Sequence, residues 1–443
     1  MLSIHNFAGN NRSRLLFNPL TYNAGFDGSS PSVREPTSIL PLCVGLIGIR
    51  LIHPPGRSSG CRRLYRAEAA LPAIDDLIAV ERPAEPMHCL RPATLEAAAR
   101  AFVTGFPGDT LYAVKCNPEQ AVLRALWRGG VRHFDCASAG EVALVRTMFP
   151  QANIHFMHPV KSRPAIREAW DRHAVRDFVF DSAGELAKIL DETQTPRPEG
   201  RGLILRIALP KGGAVIDLSG KFGAAPDEAP ALLRAARAHT ERLGLSSHVG
   251  SQCLDPLAWR RAIALAGEIL WQAGTPVEVL DVGGGFPAAY PGVTPPPLGA
   301  FFAEIEAAVE DIGLPPTVQL WAEPGRALVA AGASVVVQVQ ARRGSALYVN
   351  DGVYGSLSDV GTLAFRFPVR LIRSNGSLAS AHQDFMFFGP TCDSADVMQG
   401  PFRLPEDTSE GDWIEINQLG AYGGCLRTAF NGFDCARIVE VRD

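Results

Sequence analysis

Eight short β-rich runs, separated by helix-patterned segments between residues 111 and 322, constrain this chain more than any other feature. They are Leu111–Lys115, His133–Cys136, Asn153–Met157, Phe178–Asp181, Leu203–Ile207, Ser246–Val249, Val277–Val282 and Val318–Ala322. Helical periodicity fills most of the gaps, at Glu119–Trp127, Ala139–Met148, Gly184–Leu190 and Pro256–Trp271. Strands alternating with helices are covered on both faces, and eight such units predict an α/β fold, a closed parallel (β/α)8 barrel.

The pattern changes after residue 334. Runs at Val335–Gln340, Ala346–Val349, Val369–Arg373, Phe385–Phe388, Trp413–Ile416 and Arg437–Val441 are separated by turn residues without long helices. This predicts a mostly antiparallel β domain over 335–443, following a barrel over 91–334. A strand-like stretch at Leu77–Val80 is expected to join that β domain, within an N-terminal strand region over 67–90. Residues 1–66 are rich in serine and arginine, poor in acids and aperiodic, and are expected to be an irregular, disordered extension. A targeting peptide or an upstream start codon would share that composition.

Forty-two basic and 46 acidic residues give a net charge of −4 without a basic tract, which points to a small-molecule partner and away from nucleic acid. Nine cysteines occur without a C-x-x-C pair, so free thiols in a cytoplasmic protein are expected, with no metal site. No membrane span is expected either. The longest apolar run, Ile39–Ile49, contains Pro41 and is too short to cross a bilayer.

Several barrel strands end in residues that carry chemistry. The first delivers Lys115 to the carboxyl edge, where barrel active sites assemble; shielded from water, its amine should lose proton affinity and become a Schiff-base nucleophile. Asp281-Val282-Gly283-Gly284-Gly285 follows the seventh run, and three glycines let backbone amides approach a phosphate. A tight barrel loop has the same composition. His248-Val249-Gly250-Ser251 and Glu323-Pro324-Gly325-Arg326 follow the sixth and eighth runs. An imidazole stacks on an aromatic ring, serine and arginine bind phosphate, and a carboxylate keeps a pyridine nitrogen protonated. Those are the requirements of pyridoxal phosphate. Taken singly, each has a structural reading: a core histidine, a strand-end ion pair, a Pro-Gly turn.

Beyond residue 67 the chain resembles the fold-type III pyridoxal-phosphate decarboxylases, the group of ornithine, lysine/ornithine and diaminopimelate decarboxylases. The resemblance rests on Tyr112-Ala113-Val114-Lys115, Phe134-Asp135-Cys136-Ala137-Ser138, the three strand-end motifs above, Asn350-Asp351-Gly352-Val353-Tyr354-Gly355, Gly389-Pro390-Thr391-Cys392-Asp393 and Gly420-Ala421-Tyr422, in family order. It implies an alanine racemase-like barrel followed by a β domain. Lys115 would carry the cofactor, His248 would stack on its ring, Glu323 would pair with the ring nitrogen, and Arg206 would lie near the ring hydroxyl. Ser251, Gly283, Gly284, Gly285, Gly325, Arg326 and Tyr422 would surround the phosphate, with Asp135 beside Lys115. The resemblance also implies a homodimer whose partner subunit supplies Cys392 as proton donor and Asp393 for the substrate's distal ammonium, with Tyr354 and Phe430 nearby.

The expected reaction is decarboxylation of L-ornithine to putrescine, with L-lysine as a second substrate. Diaminopimelate decarboxylation, an amino-acid racemase on the same barrel and a non-catalytic, antizyme-inhibitor-like relative are the alternatives. One departure bears on chain length: the second aspartate of eukaryotic-type ornithine decarboxylases is replaced by leucine, leaving Asp359 as a candidate substitute or a turn cap.

Overall fold

The computed structural model describes residues 71–443 apart from 197–199, 219 and 363–364. The expected extension over 1–66, the apolar run at Ile39–Ile49 and the leucine near the second aspartate position lie outside the described residues. Strand β1 (Met87–Leu90) precedes a closed parallel barrel of β2 (Asp109–Ala113), β3 (His133–Cys136), β4 (Asn153–Phe156), β5 (Asp177–Phe180), β6 (Gly202–Arg206), β7 (Arg242–Ser246), β8 (Val279–Asp281) and β9 (Gln319–Ala322). Parallel pairing runs from each strand to the next and closes from β9 back to β2.

Because strand side chains alternate, every second residue enters the barrel lumen. Tyr112, Phe134, Ile154, Phe178, Leu203, Leu243 and Leu280 face outward into the main core, against the helices. Burying each such side chain contributes about 1.5–3 kcal/mol. Between them, Leu111, Val179, Ile204, Val279 and Trp321, with Met157, form a separate apolar layer across the lumen. Polar residues lie above and below that layer. Ser138, Ser162 and Ser182 cap the helices Ala139–Met148, Arg163–Asp171 and Ala183–Glu192, each hydroxyl accepting a hydrogen bond from a first-turn amide.

A mixed sheet follows, built from β10 (Ala333–Arg343), β11 (Ala346–Val349), β12 (Val369–Ile372), β13 (His382–Phe388), β14 (Val397–Pro405), β15 (Trp413–Ile416) and β16 (Arg437–Glu440). Its main order is β12-β15-β10-β11-β13-β14, with β1 antiparallel to β10 and parallel to β16. The β11–β13 pair is parallel and the remaining pairs are antiparallel.

Two expectations are corrected. Leu77–Val80 lies within the helix Ile74–Glu81, not in a strand. Ile74 and Ile78, four residues apart, are the buried pair, while Val80 is 82% exposed. The strand that joins the sheet is Met87–Leu90. The sixth barrel strand runs Arg242–Ser246, four residues before the expected start. Gly244 hides it: glycine weakens a strand pattern, yet a Cβ here would lie 2.6 Å from Ile204 Cδ1, so the lumen admits nothing larger. Strand β14 was not read from the sequence, since Gly400-Pro401 interrupts its pattern.

Candidate active site

Strand β2 ends at Ala113 and passes into a single 3-10 turn, Val114–Cys116, which turns Lys115 over the carboxyl end of the barrel. Its Nζ lies 2.5 Å from Oδ2 of Asp135, an inward residue of β3 that is 1% exposed. Burial alone would lower the Lys115 pKa, but Asp135, Glu323 and Tyr422 outweigh it and raise the pKa above the ordinary lysine value. The expected loss of proton affinity is therefore overturned. Lys115 sits low among buried charges, yet 44% of its side-chain surface borders the open barrel mouth. The free amine is held as a cation by its carboxylate neighbour.

Asp281, the last residue of β8, and Glu323, directly after β9, meet across the mouth. Burial raises both carboxyls, Asp281 to about 7 and Glu323 well above the carboxylate range; the Asp281 and Asp135 charges add to the rise at Glu323, while a hydrogen bond with Glu323 eases that at Asp281. The pair therefore retains a proton at neutral pH. His248 goes the other way: burial, with Arg206 and Lys115 nearby, pushes its pKa down to about 3. Its Nδ1 accepts the Gly250 amide at 3.0 Å, which fixes a neutral ring in one plane.

Lys115, His248 and Glu323 border a cavity of about 480 Å³, within the range of roughly 300–1,000 Å³ typical of small-molecule sites. Lys115, Asp135, Arg206, His248 and Glu323 all reach it, as expected from the sequence. Phe222 and His158 also line it, their rings meeting edge to face at 5.1 Å, and neither was anticipated. Phe222 sits between Lys221 and Gly223 in an otherwise aperiodic loop, where no strand or helix signal marks it. Asp281 was legible only as the residue before the glycines.

The glycine loop is as tightly built as its composition suggests. A Cβ would fall 2.1 Å from the Ser247 carbonyl at Gly283, 2.6 Å from the Glu323 carbonyl at Gly284, and 2.4 Å from the Gly250 carbonyl at Gly285. Gly283 and Gly285 also have φ of 71° and 104°. The loop is thereby pressed against Ser247–Ser251 on one side and Glu323 on the other. Arg326, 4% exposed, begins a short turn after Gly325 and stacks on Tyr422 at 5.2 Å. The Tyr422 backbone has φ 61°, unusual for an aromatic residue, and its amide donates to the Cys116 carbonyl at 2.9 Å beside Lys115. Asp359, considered for the substrate's distal end, instead pairs with Arg326 at 3.3 Å, with both side chains buried. Tyr290 accepts a second Arg326 bond at 2.9 Å.

A second group forms on the β domain. Tyr354 donates to Asp393 at 2.5 Å, its ring lies 4.8 Å from that of Phe430, and Cys392 approaches Asn431 Oδ1 at 3.4 Å through its thiol. The Ala395 amide and the Tyr354 hydroxyl hold Asp393 below the ordinary aspartate range, so it is anionic. None of these five residues lines the Lys115 cavity of its own chain.

A lysine at a barrel strand end, a neutral flat histidine and a proton-retaining carboxyl opposite define a Schiff-base site for a cofactor with an aromatic ring. Pyridoxal phosphate fits it: Glu323, raised in pKa among other carboxyls, gains a counter-charge from a protonated ring nitrogen, and Arg326 has a buried, unpartnered Nε. Comparison with known proteins agrees. Residues 93–330 match the family model described as pyridoxal-dependent decarboxylase, pyridoxal binding domain. The Schizosaccharomyces pombe ornithine decarboxylase is 31% identical over 415 residues, covering 83% of this chain and 92% of that protein. The Vibrio vulnificus lysine/ornithine decarboxylase complexed with putrescine superposes with TM-score 0.71 at 31% identity, covering 83% and 97% of the two chains. The Paramecium bursaria Chlorella virus arginine decarboxylase bound to agmatine gives TM-score 0.73 at 29% identity, covering 83% and 99%. The chain belongs to the pyridoxal-dependent decarboxylase family.

Proposed function

We propose that this protein removes the α-carboxylate of a basic L-amino acid, L-ornithine first and L-lysine second, giving putrescine or cadaverine and carbon dioxide. The observation that carries this reading is the pairing of Lys115 with Asp135 opposite Glu323, in a chain whose relatives are ornithine and lysine/ornithine decarboxylases. Pyridoxal phosphate, when bound, supplies the electron sink for the pair left on Cα as carbon dioxide departs.

The chain's own residues do the rest. Lys115 provides the anchoring amine, and Asp135 stands in place to receive the proton that this amine must shed. His248, neutral and fixed by Gly250, offers a flat face to the ring. Glu323 anchors the ring nitrogen, and Arg206 stands at the same rim. Ser251, the glycine loop, Arg326 and Tyr422 receive the phosphate, with Asp359 orienting the arginine.

Cys392 returns a proton to Cα, and anionic Asp393 takes the distal ammonium through a charge-assisted hydrogen bond. Both lie outside the Lys115 cavity of their own chain, beside exposed Phe430 and Phe433, 42% and 43% accessible. This supports a homodimer in which each chain completes the other's site. Seven described cysteines, all free, suit a reducing cytoplasm. No helix among the described residues is long and apolar enough to cross a membrane.

The test is kcat/KM for L-ornithine, L-lysine, L-arginine and meso-diaminopimelate in parallel, with product identification. Preference for ornithine or lysine supports the assignment to Asp393. Turnover of diaminopimelate alone rejects it.

A further inference from the structure

The lumen has a second polar end. At the amino edge of the strands, below the apolar layer, lies a cavity of about 360 Å³ bordered by Arg146, Arg176, Arg242, His133, His155 and Asp177. The catalytic cavity shares none of these residues.

A directed chain of hydrogen bonds crosses this end. Asn153 Nδ2 lies 3.1 Å from His133 Nε2, and an amide nitrogen only donates, so His133 carries its proton on Nδ1. That proton points to His155 Nε2 at 3.0 Å, which places the His155 proton on Nδ1, 2.9 Å from Asp177 Oδ2. The His133 proton is thus taken by His155, and the His155 proton faces Asp177.

The donors are not well used. Among the described residues, eleven buried side-chain nitrogen or oxygen atoms lack a hydrogen-bond partner, and four of them, His155 Nδ1, Arg176 Nε, Arg242 Nε and Asp177 Oδ1, belong to residues bordering this cavity. Asp177 lies 2.9 Å from His155 Nδ1 and 3.1 Å from Arg242 Nε, which leaves Arg176 Nε as the donor with no acceptor beside it. A buried donor without an acceptor is costly, and an acceptor placed in the cavity would relieve it. Charge points the same way. Three guanidiniums face two carboxylates, Asp109 and Asp177, and Arg146 spends its hydrogen bonds on the His173, Pro150 and Ala152 carbonyls, which do not neutralise it.

We propose that this amino-end cavity is a second ligand site, separate from the decarboxylase site, and that it takes a small tetrahedral oxyanion of the phosphate class, free or as a monoester. The acceptor oxygens of one small anion answer the Arg176 donor and the cationic rim, and its charge offsets the excess of three guanidiniums over two carboxylates.

The test is calorimetric titration of the pyridoxal-phosphate-loaded protein with inorganic phosphate in phosphate-free buffer, and separately with glycerol 3-phosphate. Loading keeps the cofactor's own phosphate contacts from reporting. The expected result is one saturable site per chain, weakened at least tenfold in Arg176→Gln. Gln319→Glu, which adds an acid at the exposed rim and leaves the core untouched, should also weaken it, with ornithine kinetics unchanged in both variants. Tighter binding of glycerol 3-phosphate than of phosphate assigns the site to monoesters, and the reverse order assigns it to the free ion. Absence of binding by either probe, or binding that both variants retain at full strength, overturns the proposal and leaves the cluster a purely structural brace of the barrel base.

Discussion

Asp135 Oδ2 lies 2.5 Å from Lys115 Nζ, and this contact joins the two barrel strands that first enter the site. It raises the lysine's proton affinity where burial alone would lower it. The partner is thus both a hold on the cation and a neighbour ready to receive its proton. Replacing Asp135 with Asn should shift capture of pyridoxal phosphate by the cofactor-free protein to lower pH, because less of the amine is locked as ammonium. The measurement is the pH dependence of the capture rate. An unshifted profile contradicts the role given to Asp135.

The same pair contributes to stability with a defined sign. A lysine whose folded pKa exceeds its unfolded value stabilises below the unfolded pKa, near 10.4, and loses that contribution as pH rises through the folded value. At neutral pH the contribution is fully present. Lys115 is 44% exposed, so solvent screening limits it to about 1 kcal/mol. Denaturant unfolding of cofactor-free Asp135→Asn should show a loss of that order at pH 7 that fades at strongly alkaline pH.

Asp359 pairs with Arg326 where both side chains are buried, 8% and 3% exposed, and removing one partner of such a pair strands the other charge. Asp359→Asn should weaken pyridoxal phosphate binding about tenfold, equivalent to ~1.4 kcal/mol, while kcat at saturating cofactor changes little. Asp359→Glu should recover part of the affinity. Equilibrium dialysis reads the first and steady-state kinetics the second; an unchanged dissociation constant removes Asp359 from cofactor binding.

Three histidines share one acid response. His248 is pushed down to about 3, and His88 and His133 to about 4, in each case chiefly by burial. Below pH 6.5 the unfolded chain takes up protons that the folded chain refuses, so stability falls as pH falls, by up to about 1.4 kcal/mol per pH unit for each histidine. His248→Gln should flatten this limb between pH 6 and 4. The check is unfolding free energy against pH; a parallel limb in the variant contradicts the buried neutral state of His248.

Cys392→Ala should slow decarboxylation by about 10²-fold or more and raise the share of aldehyde among the products, since a carbanion without its proton donor is protonated elsewhere. An unchanged product ratio takes Cys392 out of proton return.

The barrel was legible because buried parallel strands leave apolar runs of the right length, whereas Asp135 and Arg206 were marked only by the family resemblance. Where a glycine broke the run, at Gly244, the strand was misplaced by four residues. A helix with Ile74 and Ile78 on its buried face passed for a strand, because four apolar residues in sequence do not reveal their period. The electrostatics were less legible. That Lys115 is held charged depends on a carboxylate twenty residues away, and that Glu323 retains a proton depends on Asp281 at the end of another strand. Asp359 resembled a substrate ligand until the fold carried Arg326 to it.

The most direct measurement is release of labelled carbon dioxide from carboxyl-labelled L-ornithine by the protein supplied with pyridoxal phosphate, run beside Lys115→Ala. Steady release is expected from the wild type and none above background from the variant, with both folded by circular dichroism. Equal release from the two, or none from a wild type shown by absorbance to hold the cofactor and tested also with L-lysine, would contradict the decarboxylase reading.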